Sequence, residues 1–260
     1  MSGPSSAART QPLQGFWERY FEVYDTLNEA PPYKRMLRRL VELLEPAAGE
    51  AILDAGSGTG NVSRLLVASG ARVTGIDFCP PAIERCRIKV PQAEFLTADL
   101  TRALPFADRA FDKIACSLVL HFLPPAVQIG ALQEMCRVLR PGGRVAITVF
   151  ATGLNPVRVY TESLRNLWAE GGLAFAADRA ARYFVSTLRV FYYQWRIKQG
   201  ERAGAYQYFT ADRLRGALAD AGFDVLAVER TLAGQCWIAA AARPEADRPG
   251  ASVTLAAPPA

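Results

Sequence analysis

Apolar side chains recur at helical spacing over residues 32–44, where Met36, Leu37, Leu40, Val41 and Leu44 share one face and Arg35, Arg38 and Arg39 fall on the other. This predicts an amphipathic helix, stopped near Glu45 by Pro46. A short apolar run, Ala51-Ile52-Leu53, follows and ends in Asp54 and a glycine-rich turn. Val62, Leu65, Leu66 and Ser69 then return to helical period. A second run, Arg72-Val-Thr-Gly-Ile76, ends in Asp77, and Pro80-Pro81 opens the next helix, where proline is tolerated in the first turn. The same alternation continues through strands at 94–97 and 111–117, a helix from about Ala126 to Leu139, a turn at Arg140-Pro-Gly-Gly143 and a fifth strand at 144–149. Five strands separated by helical segments argue for a mainly parallel sheet covered on both faces, and right-handed crossovers make it doubly wound.

The last part of the chain breaks this rhythm. Thr210 caps a helix from Ala211 to Asp220 that ends at Gly222, and strands are expected at 223–228 and 235–241. Only residues 229–234 separate those strands, too few for a parallel crossover. They must run antiparallel. The expected fold is α/β, a doubly wound seven-stranded sheet whose last strand is reversed.

Between the fifth strand and Thr210 the pattern is purely helical. Val157, Tyr160, Leu164, Leu167 and Trp168 share one face, as do Phe184, Leu188, Phe191, Tyr192 and Trp195 further on. Residues 153–209 hold 12 of the chain's 26 aromatic residues, so they are expected to form a helical lid inserted after strand five. The organisation expected is a single domain over 14–243. It comprises an N-terminal helical cap (14–45), a core (46–152), the lid insertion (153–209) and the last helix with two strands (210–243). The ends, 1–13 and 244–260, lack apolar periodicity and are expected to be disordered.

Composition narrows the classes. A chain of 260 residues with 50% hydrophobic and 21% charged residues is that of a globular protein with a full core. No apolar run is long enough for a membrane-spanning helix, and the start has no apolar h-region, so a cytoplasmic protein is expected. Five cysteines without a CxxC support neither a disulfide framework nor a metal site. A net charge of +5 is too diffuse to imply nucleic acid.

The chemistry centres on Gly56-Ser57-Gly58-Thr59-Gly60, which follows a predicted strand and precedes a predicted helix. Glycine there lets a ligand approach the backbone, and the helix start offers unpaired N–H groups. The dinucleotide fingerprint G-x-G-x-x-G would need its third glycine where Asn61 stands, which counts against a nicotinamide-dependent oxidoreductase.

Asp54-Ala-Gly-Ser-Gly-Thr-Gly60 instead resembles the first motif of the class I S-adenosylmethionine-dependent methyltransferases. Asp77 stands where that family keeps an acidic residue for the ribose hydroxyls, and Thr97-Ala-Asp99-Leu100 resembles its adenine-side segment. Phe106–Asp112 resembles the approach to strand four, and Leu139–Gly143 the turn before strand five. The resemblance covers roughly 45–150 and 208–242 and is strongest to the small-molecule, ubiquinone/menaquinone methyltransferase-like group. It implies a Rossmann-like methyltransferase fold, S-adenosyl-L-methionine as co-substrate and S-adenosyl-L-homocysteine as product. The implied cofactor residues are Asp54, Gly56, Ser57, Gly58, Gly60, Asp77, Phe78, Asp99, Leu100 and Ser117. Asp112, at a strand start, reads as structural.

The methyl acceptor is expected over the C-terminal ends of strands four and five. His121, the only histidine, follows strand four and is the candidate general base; its bland alternative is a satisfied structural histidine. Tyr24, Tyr33, His121, Phe122, Phe150 and Tyr192 are the candidate acceptor-binding residues. The acceptor is expected to be small and apolar or aromatic: a quinone, polyketide or lipid-like molecule. In the lid, Arg158, Arg165, Arg179, Arg182, Arg189, Arg196, Lys198 and Arg202 face only Glu162, Glu170, Asp178 and Glu201. Such a basic aromatic lid suits peripheral contact with a membrane surface. Monomer and homodimer stay open, as does a non-catalytic module that binds the cofactor.

Overall fold

The computed structural model describes residues 15–16, 19–21, 25, 30–202 and 206–245. Residues 1–13 and all but the start of 244–260, expected to be disordered, lie outside the described residues, and so does Tyr24.

Helix α1 (Pro31–Leu44) begins on two prolines and ends at Glu45, whose left-handed backbone (φ 52°) lets its N–H cap the Val41 carbonyl. Its apolar face is fully used: Met36, Leu40 and Leu44 have no solvent exposure. Burying each such side chain contributes about 1.5–3 kcal/mol. The chain continues through β1 (Ala51–Ala55), α2 (Asn61–Ala68), β2 (Arg72–Asp77), α3 (Pro80–Lys89), β3 (Glu94–Thr97) and β4 (Phe111–Ser117). A 3-10 turn at Pro125–Val127 leads into α4 (Gln128–Val138), so the single helix expected from Ala126 is split. Then come β5 (Leu139–Phe150), α5 (Pro156–Arg202), α6 (Ala211–Asp220), β6 (Asp224–Thr231) and β7 (Cys236–Ala242).

The seven strands form one sheet in the order β3-β2-β1-β4-β5-β7-β6. The pairs β2–β3, β1–β2, β1–β4 and β4–β5 are parallel, whereas β7 runs antiparallel to both β5 and β6. The reversed last strand is therefore present as the short connection required. Arg140–Gly143 is not a free turn: Leu139 already pairs with Phe111, and after a register shift Arg144 pairs with Lys113. Gly142, at φ 72°, sits in that irregularity. Asp112 anchors the same end, accepting the Ala51 N–H at 2.8 Å and a bond from Arg140.

Both faces of the sheet are covered. On one, Leu132, Met135, Leu214 and Leu218 from α4 and α6 pack on Ile114, Val145 and Ile147. On the other, Met36, Leu40 and Leu66 from α1 and α2 pack on Ile52, Val73 and Ile238. Thr210 caps α6 by accepting the Arg213 N–H. The lid is helical throughout Pro156–Arg202 except at Gly172, whose φ of 78° and ψ of −178° break it into two runs. Its first run is tied to α1, where Arg35 reaches Glu162 at 2.5 Å and Asn166 at 3.0 Å. The strand order reverses between β1 and β4, and the crevice beyond the strand ends at that point is where such sheets bind ligands.

Candidate active site

The glycine turn is closed by its own backbone. The N–H groups of Gly56 and Ser57 both donate to the Ile76 carbonyl at 2.8 Å, and that of Gly60 donates to Ser57 at 2.8 Å. Gly56 has φ 81° and lies so close to Val119 that a Cβ would stand 2.3 Å from Cγ2 of that residue. Glycine is required there on both counts. Gly58 (φ 52°) donates its N–H to Oδ2 of Asp77 at 2.9 Å, while Cys79 donates to Oδ1 at 3.0 Å. Burial pushes the Asp77 carboxyl up to about 6, against the backbone bonds from Cys79, Gly58 and Phe78.

Beyond the ends of β1, β2, β4 and β5 lies a cavity of about 400 Å³, within the range of small-ligand sites. One end is lined by Gly56, Ser57, Gly58, Asp77, Phe78, Asp99 and Leu100; Ser117 also lines the wall. The other end is lined by Tyr33, Phe122, Phe150 and Tyr206, which pack in one cluster. Tyr20 and Phe21 of the N-terminal segment complete the wall. The sheet order sets this polarity: Asp77 ends β2, whereas Phe150 ends β5, two strands beyond β1.

Most expected cofactor residues thus share one surface, and two do not. Asp54 is buried behind it, accepting the Ser63 hydroxyl at 2.5 Å; its other oxygen has no partner among the described residues. Burial pushes its carboxyl up to about 6, the neighbouring Asp77 adds to the rise and Ser63 opposes it. Gly60 starts α2 at φ 79° and faces Cys86 and Val90 instead of the cavity. Asp99 has two surroundings. It lines the cavity, and its Oδ1 also accepts the Thr101 N–H at 2.9 Å and hydroxyl at 2.8 Å. Ser117 shares a 3.1 Å bond with Thr148.

His121 requires a correction. It has no solvent exposure and does not line the cavity. Its Nδ1 accepts the Phe150 N–H at 3.3 Å, and its ring centroid lies 4.1 Å from that of Phe122 and 4.5 Å from that of Phe150. Burial depresses its pKa to about 3, so the ring is neutral with its proton on Nε2. A neutral imidazole with its free lone pair already engaged cannot serve as the base. It supports the aromatic wall from behind. Tyr192 is also misplaced: it is half exposed on α5, against Tyr193 and Trp195, and away from the cavity.

Several lining residues escaped the sequence reading. Phe21 faces Gly58, Val119 faces Gly56, and Leu118 carries a left-handed backbone (φ 57°) at the end of β4. Tyr206 arrives from the non-helical end of the lid segment, after α5; its neighbour Gln207 donates to the His121 carbonyl, and Phe209 donates to that of Phe150. Its one available signal was an aromatic cluster, Tyr206-Gln-Tyr-Phe209, in a stretch without helical period. Asp25 ties the N-terminal segment to the glycine turn, accepting the Thr59 hydroxyl at 2.6 Å and Lys89 Nζ at 3.0 Å. Lys89 also bonds Asn61.

The arrangement fits an adenosine and a charged sulfonium. Asp77 keeps acceptor capacity for a ribose diol, Asp99 faces the cavity for an amine, Leu100 and Phe78 offer apolar faces, and the turn leaves no side chain in the way.

Residues 53–147 match the family model described as methyltransferase domain. The demethylmenaquinone methyltransferase of Thermus thermophilus is 38% identical over 183 residues, covering 65% of this chain and 80% of that protein. That of Beutenbergia cavernae is 36% identical over 143 residues, 54% of this chain; the chain spans only 58% of that relative's length. Among solved structures, the Burkholderia thailandensis 1,6-didemethyltoxoflavin-N1-methyltransferase, with that compound and S-adenosylhomocysteine bound, superposes with a TM-score of 0.61. It shares 18% identity and covers 94% of this chain and 93% of its own.

Proposed function

The chain belongs to the class I S-adenosylmethionine-dependent methyltransferases, and on that premise we propose that it transfers a methyl group from S-adenosyl-L-methionine to a small apolar or aromatic acceptor. The observation that carries this reading is the polarity of one cavity: carboxylates and glycine backbone at one end, aromatic rings at the other. The co-substrate supplies an already activated methyl group on a sulfonium. Asp77 accepts the ribose hydroxyls, Asp99 the adenine amine, and Leu100 and Phe78 flank the ring. Asp54 holds the glycine turn through Ser63. Its unpartnered oxygen supports a water-mediated reach toward the charged amino acid end.

What the chain adds is alignment. Holding nucleophile, methyl carbon and sulfur in line makes the displacement effectively unimolecular. Among the described residues, the acceptor end offers phenols but no carboxylate, imidazole or amine. That lining suits an acceptor that brings its own nucleophilicity, as an activated carbon or an ionised oxygen does, and no general base is assigned. Tyr206 orients it. Ser57, Asn61, Asp77, Asp99, Thr101 and Ser117 all have partners within the chain, whereas the Tyr206 hydroxyl has none among the described residues. Burial raises its pKa, so it stays protonated and donates to an acceptor oxygen. A reduced naphthoquinone satisfies both demands, and the names of the curated relatives make it the first acceptor to try. An apolar acceptor of this kind also fits contact of the basic lid with a membrane surface.

The test is calorimetric titration with S-adenosylhomocysteine and, in parallel, NADH, followed by incubation with S-adenosylmethionine and a naphthoquinol. Saturable micromolar binding of S-adenosylhomocysteine alone, with a methylated product by mass spectrometry, is expected. Binding of NADH alone would overturn the reading. Cofactor binding without turnover on quinols, phenols or amines would favour a non-catalytic module.

A further inference from the structure

Each of the two runs of α5, which meet at Gly172, has one side docked on the rest of the fold and another exposed. One side is docked: Glu162 and Asn166 meet Arg35 of α1, and the buried Tyr193 packs edge-on against Tyr20 and Phe16. The other side is bare. Val157, Trp168, Leu173, Leu188, Tyr192 and Trp195 are all exposed, and they make up more than half of the exposed large apolar side chains among the described residues. Trp168 and Trp195 are 62% and 56% exposed, unusual for the residue with most apolar surface to hide. Their spacing is helical: positions 157 and 168 fall on one line of the first run, and 188, 192 and 195 on one line of the second.

Charge gives the partner. By sequence, Pro156–Arg202 carries eight Arg and Lys against four Asp and Glu, an excess of four in a chain whose whole net charge is +5. Arg165 and Arg189 flank the bare stripe and are themselves exposed. Two copies of so basic a face would repel one another, which disfavours self-association through it. Exposed Trp and Tyr rimmed by arginine match the chemistry of an anionic lipid interface, where aromatic rings sit at headgroup level and arginines meet lipid phosphates. No helix among the described residues is long and apolar enough to cross a membrane, so the contact would be peripheral.

We propose that the exposed aromatic faces of the two α5 runs dock on an anionic bilayer. The docked side of the same helix holds Tyr20 through Tyr193, and Tyr20 lines the cavity wall. Docking therefore sets α5 between the lipid and the N-terminal wall of the cavity, about one helix diameter from the surface where an apolar acceptor resides. This consequence rests on the apolar-acceptor reading above; the docking itself does not.

The experiment is co-sedimentation of the full chain with vesicles of neutral phosphatidylcholine or of phosphatidylcholine mixed with phosphatidylglycerol. Partitioning on the order of tenfold stronger into the anionic vesicles is expected, weakening as salt is raised. The double variant Trp168→Ala/Trp195→Ala and the double variant Arg165→Glu/Arg189→Glu should each reduce it about tenfold while leaving S-adenosylhomocysteine affinity unchanged. That unchanged affinity shows each variant is folded and keeps a failure of docking distinct from a failure of the cofactor reading. Absence of binding to anionic vesicles at low salt would overturn the proposal. So would binding that neither variant weakens. A concentration-dependent dimer lost in the tryptophan variant, without vesicle binding, would assign the face to a second copy instead.

Discussion

The cofactor end of the cavity draws on Gly56–Gly58, Asp77 and Asp99, all within residues 56–99, whereas the acceptor end draws on Tyr33, Phe122, Phe150 and Tyr206, spread over residues 33–206. At the first end, consecutive strand–turn–helix units place each group, and backbone N–H groups hold it: Gly58 and Cys79 donate to Asp77, and Gly56 and Ser57 donate to Ile76. At the second, side chains of four separate segments are held by packing: Phe122 and Phe150 lie against the ring of a buried neutral histidine, which accepts one bond at 3.3 Å, and Tyr206 lies against Phe122. A local polar site tolerates little change in a few atoms. A packed apolar wall spreads its demands over many. Substitutions at the two ends should therefore differ in size and in what they affect.

The largest effect is expected at Gly56. Its left-handed backbone costs any other residue about 1–2 kcal/mol, and a Cβ at 2.3 Å from Val119 adds the 1–3 kcal/mol typical of overpacking. Gly56→Ala should destabilise the protein by about 2–5 kcal/mol in a denaturant melt and weaken S-adenosylhomocysteine together with it. A stable variant that binds normally would show that the turn yields easily, and the contrast between the two ends would lose its basis.

Asp77→Ala comes next. Loss of hydrogen bonds to a charged acceptor should weaken S-adenosylhomocysteine by about 1.5–3 kcal/mol in calorimetry. Its pH dependence sharpens the point. The free carboxyl is raised from 3.8 to about 6, so a ligand that needs the carboxylate should bind more weakly as pH falls through 6 and level off above about 7. Stability should move the other way. The folded state keeps a proton that the unfolded chain has released, so Asp77 removes stability as pH rises from about 4 to 6. Subtracting the profile of Asp77→Asn removes the contribution of His121 and leaves that of the coupled Asp77–Asp54 pair, since Asp77 helps to raise the Asp54 carboxyl. Trends of the same sign would remove Asp77 from the ligand's contacts.

The same contrast explains what could be read in advance. Asp54, the three glycines, Asp77 and Asp99 are legible because strand ends and turns are local events, and residue type follows from backbone need. The reversed β7 was legible from the length of one loop. The acceptor wall was not, because Tyr206 comes from beyond the lid's helix and reaches Phe122 (ring centroids 5.3 Å apart) only once the sheet has formed. His121 misled for a related reason: its place after β4 fits a base, but only the packing of Phe122, Phe150 and Tyr208 shows that it is sealed off. Tyr192 misled because helical period reveals that a face is apolar, not which partner covers it.

At the acceptor end, Tyr206→Phe removes one hydroxyl and keeps the ring on Phe122. One hydrogen bond is worth about 0.5–1.5 kcal/mol, so KM for an oxygen-bearing acceptor should rise about two- to twelvefold. S-adenosylhomocysteine affinity should stay constant in calorimetry. A fall in cofactor affinity instead would mean that the two ends are not separable and that Tyr206 belongs to both.

The smallest effect is expected where the two ends meet, at the N-terminal segment. Tyr20 and Phe21 line the cavity, and Asp25 ties this segment to the glycine turn through Thr59 and Lys89. Burial works against the Asp25 carboxylate, but the bonds from Thr59 and Lys89 outweigh it and hold its pKa below the ordinary value. The pair is partly exposed, with side-chain accessibilities of 46% for Asp25 and 24% for Lys89, and pairs of that kind contribute under about 1 kcal/mol. Asp25→Asn keeps an oxygen for Thr59 and removes only the charge. It should change S-adenosylhomocysteine affinity by less than about threefold, with the difference vanishing in high salt. A loss of tenfold or more would make the strap part of the cofactor end, built on a charge held across distant segments. The division between a local polar site and a dispersed apolar one would then fail at its boundary.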